Sequence, residues 1–300
     1  MIIHDLTELI DRSKQKPKKR IAVASAEDDN VLKALQNAIN EEIIVPILVG
    51  NRENIESIAK KVGFDLKGVE IIDISNSDLN SATVAIQLIK SGQADILMKG
   101  LIQTGDLLRA VLDKENGLPV ERLLSHVALF QSPYYHKVFC ITDVAMNIAP
   151  DLEAKIKILN NAVSVFHQLG VENPKVAVAA AVETVNPKME ATVHASLIKE
   201  KGRNGEIIGC IVDGPLAFDI AFNKDAAAHK NIVSDVAGDC DIVVMPEINA
   251  GNMVYKTLNF LGGANTAAII SGASVPIVLT SRSDDDRTKL LSIALASLLV

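Results

Sequence analysis

Short apolar runs without polar alternation decide what this chain can fold into. They stand at RIAVAS (20–25), IIVPILV (43–49), VEIID (69–73), ADILM (94–98), VALF (127–130), KVFCIT (137–142), KVAVAA (175–180), IIGCIV (207–212), DIVVM (241–245) and VPIVLT (275–280). A strand with one wet face alternates apolar and polar residues, so unbroken runs mark strands buried on both faces of a mainly parallel sheet. Helical stretches separate most of them. In the clearest, which opens at Pro150-Asp151, Leu152, Ile156, Leu159, Val163 and Phe166 step by four and three and make one apolar stripe. The pattern predicts a doubly wound α/β architecture. Residues 127–142 are the exception, because two runs joined by the short QSPYYH suit an antiparallel pair.

So many strands in 300 residues point to two α/β/α domains, with a boundary near residue 125 where the βα pattern gives way to a hairpin. The last stretch, 287–300, is apolar on most sides and needs a sheet face or a partner chain to cover it. With 48% hydrophobic residues, 3% aromatic and no tryptophan, the core must be aliphatic and material for stacking nucleic-acid bases is scarce. A net charge of -7 argues against nonspecific nucleic-acid binding, so a polyanionic ligand must be met by local Lys and Arg.

The opening stretch is polar-interrupted and does not read as a signal peptide, and no apolar run reaches the ~18 residues of a membrane span. A cytoplasmic protein without membrane contact is the expectation. The basic run Lys14 to Arg20 reads as a solvated linker. Cys140, Cys210 and Cys240 are far apart and read as reduced core thiols. The dinucleotide glycine fingerprint, the P-loop, the zincin motif and the nucleophile elbow are all missing, and the six histidines show no metal-ligand spacing. His126 and His136 flank the hairpin, where a lone histidine is more often a hydrogen-bonded structural residue. No metal is expected.

What remains is a set of polar groups at strand carboxyl ends, the edge where α/β sheets bind ligands. In MKGLIQTGDLLRAVL (98–112), Lys99 and Gly100 leave a strand and Thr104 or Asp106 starts a helix. A glycine lets backbone approach an anion and a helix start offers N–H groups. Arg109 follows one turn on. An N-capped helix with a solvated arginine explains the stretch equally well. Asp213-Gly214-Pro215 is placed just after its run. In PEINAGNMVYK (246–256) Asn249 reads as a helix cap, Gly251 as a close-packing site, and Asn252, Tyr255 and Lys256 as one polar face. In VLTSRSDDD (278–286), Ser281, Arg282 and Ser283 combine hydroxyls with a planar guanidinium, a good phosphate receptor. Ser283 or Asp284 is suited to cap the next helix, Asp285 and Asp286 offset its dipole, and Asp284 stands nearest to steer Arg282 or accept a proton.

Taken together and in this order, DILMKGLIQTGDLLRAVL, VDGPLAFDIAF, PEINAGNMVYK and VLTSRSD resemble the phosphate acyltransferases that act on acetyl or butyryl groups. The resemblance runs over nearly the whole chain. The Lys-Gly…Thr and Ser-Arg-Ser-Asp forms, and the lack of an insertion before the fourth strand, look like the phosphate butyryltransferase branch. The resemblance implies acyl-CoA + phosphate ⇌ acyl phosphate + CoA, with coenzyme A as substrate and no bound cofactor. It implies an isocitrate/isopropylmalate dehydrogenase-like fold, with two domains (1–125 with 271–300, and 126–270) facing a cleft, in a homodimer or higher homo-oligomer. The family's phosphate-binding serine and arginine carry over onto Ser281 and Arg282, and a second arginine onto Arg109. An aspartate proposed as base in the acetyl branch falls here near Thr288, and another acetyl-branch arginine has no counterpart. Two rival readings are a metal- and nicotinamide-dependent dehydrogenase of the related fold and a noncatalytic acyl-CoA sensor. The acid spacing of Asp213, Asp239 and Glu247 speaks against the first, and the intact Ser-Arg pair against the second.

Overall fold

A computed structural model describes residues 3–75, 80–280 and 284–300. In chain order it begins α1 (Thr7–Lys14), β1 (Lys19–Ala24), α2 (Asp29–Asn40), β2 (Ile44–Gly50), α3 (Arg52–Val62), β3 (Glu70–Asp73), α4 (Ser81–Lys90), β4 (Ile96–Lys99) and α5 (Thr104–Val111). There follow β5 (Val120–Gln131), β6 (Phe139–Thr142), α6 (Leu152–Gln168), β7 (Lys175–Ala179), α7 (Glu190–Arg203), β8 (Ile211–Leu216), α8 (Phe218–Phe222), α9 (Lys224–His229), β9 (Ile242–Val244) and α10 (Ile248–Phe260). The chain closes with β10 (Asn265–Ala273), β11 (Ile277–Val278) and α11 (Asp286–Leu298). It divides into two compact units, Thr7–Glu121 with Ala267–Val300, and Met1–Leu6 with Arg122–Thr266. These are called the flanking and the inserted unit below.

In the flanking unit the strand order is β3-β2-β1-β4-β11-β10, parallel except for the β10/β11 pair. Ile21, Ala22, Val23 and Ala24 are fully buried, as an unbroken apolar run requires. Helix starts follow the capping rule: Asp28, Asn51 and Asn80 accept the N–H of Val31, Asn54 and Thr83. Register fixes the functional edge. Ala24 pairs with Lys99, and Ile277 and Val278 pair with Leu97 and Met98, so β1, β4 and β11 leave the sheet side by side. α11 is covered within the chain by α1 and α2. Ser13 Oγ donates to Ala294 O at 3.1 Å, and Ser297 Oγ to Ser13 Oγ at 2.8 Å. The basic run is tied down, with Lys14 paired to Glu41, Lys18 to Glu42 and Arg20 to Asp95.

The inserted unit has the order β5-β6-β9-β7-β8. β5 and β6 are antiparallel, as the hairpin pattern predicts, and the remaining pairs are parallel. Asp151 caps α6 by accepting from Ala154 N, and Leu159, Val163 and Phe166 of its stripe are buried.

Three expectations are corrected. The strand read at 207–212 begins only at Ile211 and runs through Asp213-Gly214-Pro215 to Leu216, so those three residues lie within the strand. Gly209 turns the chain at φ 73° with Ile208 77% exposed, and the edge position of β8 tolerates proline. β10 was not expected, because NTAAIISGA is mostly small residues with weak strand preference. Cys140 and Cys240 are buried, but Cys210 is half-exposed beside the Gly209 turn. No helix among the described residues is long and apolar enough to cross a membrane.

Candidate functional site

The carboxyl edge of the flanking sheet gathers Lys99, Gly100, Thr104, Arg109 and Asp284. Lys99 ends β4 with only 5% of its surface exposed, and its Nζ donates to Gly100 O at 3.2 Å. Gly100 has a structural explanation that the sequence did not show. A Cβ there would lie 1.9 Å from Ser25 O, and its N–H donates to Ala24 O at 2.8 Å. The glycine is therefore needed for β4 to leave the sheet against the end of β1. Thr104 is the first residue of α5, and the cap position falls to Gln103, whose side chain makes no capping bond. Arg109 is largely exposed and held by Asp106 at 2.7 Å. An exposed ion pair of this kind is weak, so a bound phosphate can draw the guanidinium away. Arg109 and Asp106 form part of the wall of a cavity of about 660 Å³ between α4 and α5.

Ser281, Arg282 and Ser283 lie outside the described residues. The elements around them are clear: β11 is parallel to β4, so its exit points to the edge that carries Lys99. The three aspartates divide their work. Asp285, not Asp284, caps α11 by accepting from Thr288 N at 2.8 Å. Asp286 accepts from Asn37 of α2 at 3.2 Å. Asp284 is buried, and its carbonyl accepts from Lys289, whose ammonium burial pushes to a lower pKa.

Asn249, Gly251 and Asn252 belong to the inserted unit. Glu247, not Asn249, caps α10: Oε1 accepts from Ala250 N at 2.7 Å and Oε2 from Asn249 N at 2.7 Å. Those two N–H groups hold its carboxyl below the usual range. A Cβ on Gly251 would lie 2.4 Å from Asp143 O, which confirms close packing, and Asn252 Nδ2 donates to Val144 O at 3.1 Å. Tyr255 does not join a polar face. It is buried, edge-on to His126 and Phe130.

His126 is buried with no hydrogen-bond partner at Nδ1, and burial pushes its pKa down to about 4, so the ring is neutral near pH 7. His136 pairs with Asp239 at 3.0 Å. The sequence reading missed Lys155, a buried lysine whose Nζ meets His194 Nδ1 at 3.0 Å and whose pKa burial lowers. A lysine is ordinarily solvated, but Lys155 lies three residues after Leu152 and four before Leu159, at the margin of the apolar stripe of α6, and that spacing is the signal that could have found it. Asp213 is paired with Lys199 at 2.5 Å. Among the described residues no group of three or more His, Cys, Asp or Glu is arranged to hold a metal ion.

The family model described as phosphate acetyl/butaryl transferase matches residues 5–84 and 78–297. A phosphate butyryltransferase of Clostridium acetobutylicum is 45% identical, over 99% of this chain and 98% of that protein. A solved branched-chain phosphotransacylase of Enterococcus faecalis is 35% identical with a TM-score of 0.83, over 94% of this chain and 98% of that one. A 4-hydroxythreonine-4-phosphate dehydrogenase of Burkholderia phymatum, 15% identical, shares the fold at a TM-score of 0.56 over 95% of this chain and 99% of that one. The dehydrogenase-like α/β architecture is thus shown.

Proposed function

The chain belongs to the phosphate acetyl/butaryl transferase family, and on that premise we propose that it exchanges a short acyl group between coenzyme A and inorganic phosphate. The reaction is acyl-CoA + phosphate ⇌ acyl phosphate + CoA, with a C4 or branched C4–C5 chain used better than acetyl. The observation that carries this is the 45% identity over almost the whole length to a phosphate butyryltransferase. The carboxyl edge of the flanking sheet supports it, since Lys99 stands there beside the exit toward Ser281 and Arg282. Two domains facing a cleft, a cytoplasmic location and a homodimeric assembly belong to the same proposal, on the family resemblance alone.

In this reading Arg282 and Ser281 hold the phosphate, with Arg109 and Lys99 adding positive charge, and Asn249, Gly251 and Asn252 serve substrate binding on the family resemblance. In the acyl phosphate to CoA direction, the CoA thiolate attacks the acyl carbon, the C–S bond forms, and the carbon–oxygen bond to phosphate breaks. Cations around the departing phosphate stabilise the charge it gains. An ordinary thiol has a pKa of ~8.5, so a modest base such as Asp284 suffices near neutral pH. Transfer is direct, without an acyl-enzyme. Burial pushes the thiols of Cys140 and Cys240 far up and Cys210 up to about 11, which leaves all three poor nucleophiles. No cofactor or metal enters the scheme.

The test is release of free thiol from C2 to C6 acyl-CoAs with and without phosphate. Phosphate-dependent release with the highest kcat/KM at C4 or a branched C4–C5 chain is expected. Each buried methylene contributes ~0.8 kcal/mol, so the preference is clear without excluding acetyl. A monotonic fall from acetyl upward places the chain with the acetyl enzymes. Binding of acyl-CoA without turnover sinks the transferase reading.

A further inference from the structure

Lys289 is out of place for an ordinary lysine. It lies in the first turn of α11 and is only 3% exposed. Burial lowers its pKa, and the positive end of a helix dipole opposes a cation as well. The carboxylates of Asp284, Asp28, Asp285 and Asp286 act the other way and favour its charged form. Three of these acids have uncharged partners: Asp28 accepts from Val31 N at 2.9 Å, Asp285 from Thr288 N at 2.8 Å and Asp286 from Asn37 Nδ2 at 3.2 Å. Lys289 is thus a buried cation set among acids whose charge those bonds leave in place.

Its position along the chain gives this cation a bearing on phosphate. Lys289 Nζ donates to Asp284 O at 2.5 Å. Asp284 stands two residues after Arg282, and two steps of ~3.8 Å put their Cα atoms no more than ~7.6 Å apart. Thr280 and Asp284, the described residues on either side of the Ser-Arg-Ser stretch, are both buried. Covalent geometry alone thus keeps Arg282 beside a run of three aspartates. A guanidinium pairs with a carboxylate by the same two-point geometry that it offers to phosphate. Left unbalanced, the acid run competes with phosphate for Arg282.

We propose that Lys289 is a positioning residue for phosphate: its ammonium holds the Asp284 carbonyl and offsets the aspartates around it, so that Arg282 is left to the phosphate. The proposal rests on the transferase reading above, in which Arg282 binds the transferred group. Lys289 acts through Arg282 and not by touching substrate. A lysine that served folding alone would change how much protein is folded. It would not change how tightly the folded molecules take phosphate.

The experiment compares phosphate with acyl-CoA on the full-length protein. Titration with inorganic phosphate, followed by phosphorus NMR, gives a Kd that needs no turnover, and steady-state rates give the KM for each substrate. In Lys289→Met the Kd and KM for phosphate should rise about tenfold, a loss near 1.4 kcal/mol. The KM for acyl-CoA should stay within about twofold of wild type, the scatter of unrelated surface changes. Asp286→Asn removes one negative charge and keeps an acceptor for Asn37, so it keeps the test standing if Lys289→Met does not fold. Alone it should tighten phosphate about threefold, and added to Lys289→Met it should recover about threefold of the loss. Unchanged phosphate affinity in folded Lys289→Met overturns the proposal and leaves a residue of folding only. An equal loss for both substrates overturns it as well, since the disturbance is then general. Unchanged or weaker phosphate binding in Asp286→Asn overturns the competition between acids and phosphate. Absence of phosphate-dependent thiol release by the wild type defeats the transferase reading instead, while the phosphate titration still reads Lys289 independently.

Discussion

At the amino ends of β1 and β4, Arg20 and Asp95 meet in a two-point ion pair at 2.5 and 3.0 Å, and Asp95 also accepts the Arg20 N–H at 2.8 Å. At the carboxyl end of the same sheet, Arg109 leans on Asp106 with most of its side chain in water. The inserted unit keeps its amino edge just as closed. Lys137, 3% exposed, meets Asp241 at 2.6 Å and Asp239 at 3.2 Å, and Lys175 meets Asp239 at 2.7 Å. At its carboxyl edge His126 keeps a buried nitrogen without a partner. The same residue types serve different ends. Charges at the amino edges are consumed by one another and hold strands in register, whereas Arg109 near the carboxyl edge is held by one exposed partner and can answer a ligand.

The sharpest break of this comparison is at Arg282. Arg282→Ala should lower kcat/KM by about 10²–10³-fold, the scale of losing a preorganised donor to developing charge, and leave the urea midpoint unchanged. Arg282→Lys should lose most of the activity too, since lysine keeps the charge without the planar fork. Near-normal turnover in the lysine variant would show the arginine to be peripheral. The mirror experiment is Lys137→Met. It leaves buried Asp241 without its cation, while Asp239 keeps Lys175 and His136, and one-sided removal from a buried pair costs about 3–5 kcal/mol. Urea unfolding should record that loss, while kcat per folded molecule holds. A large drop in kcat at unchanged stability would overturn the division between edges.

Acidity offers a graded version. Burial opposes ionisation of Asp239, but hydrogen bonds and charge from Lys175 and Lys137 prevail and hold its pKa down to about 2. A depressed carboxyl contributes stability above its unfolded pKa of ~3.9 and loses it as pH falls from there through about 2. The urea midpoint of the wild type should therefore drop steeply below pH 4. Asp239→Asn should start lower at pH 6 and flatten over the acid range. Parallel curves for the two proteins would mean that the amino-edge cluster does not carry the acid response.

Fold and site were not equally legible in the sequence. IVPILVG, buried almost throughout, announces a central strand because both faces of a parallel sheet need apolar residues. NTAAIISGA hides β10, because alanine, serine and glycine satisfy a strand only through neighbours that the sequence does not display. Caps were harder. Asn249 has the stronger intrinsic preference for a cap, yet Glu247 takes the position, since its longer side chain can reach two N–H groups. Lys99 and Arg109 were visible as polar groups at a strand's end. The cavity was not, because Ser25, Ile74, Asn80, Ile102 and Asn116 come from separate segments that only the α4 and α5 packing assembles.

The smallest expected effect lies with Gly105, set against two other glycines of these edges. Gly100 and Gly251 are fixed by backbone oxygens 1.9 and 2.4 Å from any added Cβ. Gly105, the second residue of α5, has nothing within 4 Å of that position. Packing does not demand a glycine there, and glycine in a helix costs about 0.5–1 kcal/mol relative to alanine. Gly105→Ala should thus raise stability by a few tenths to about 1 kcal/mol, read as a small rise in urea midpoint. The informative quantity is the KM measured beside it. If the first turn of α5 faces bound phosphate or acyl-CoA, one extra methyl intrudes on the ligand, and KM should rise about two- to tenfold as the protein becomes more stable. A stabilised variant with unchanged KM for both substrates would show that this turn is clear of the ligands. The functional part of the carboxyl edge would then shrink to Lys99, Arg109 and the residues that follow β11.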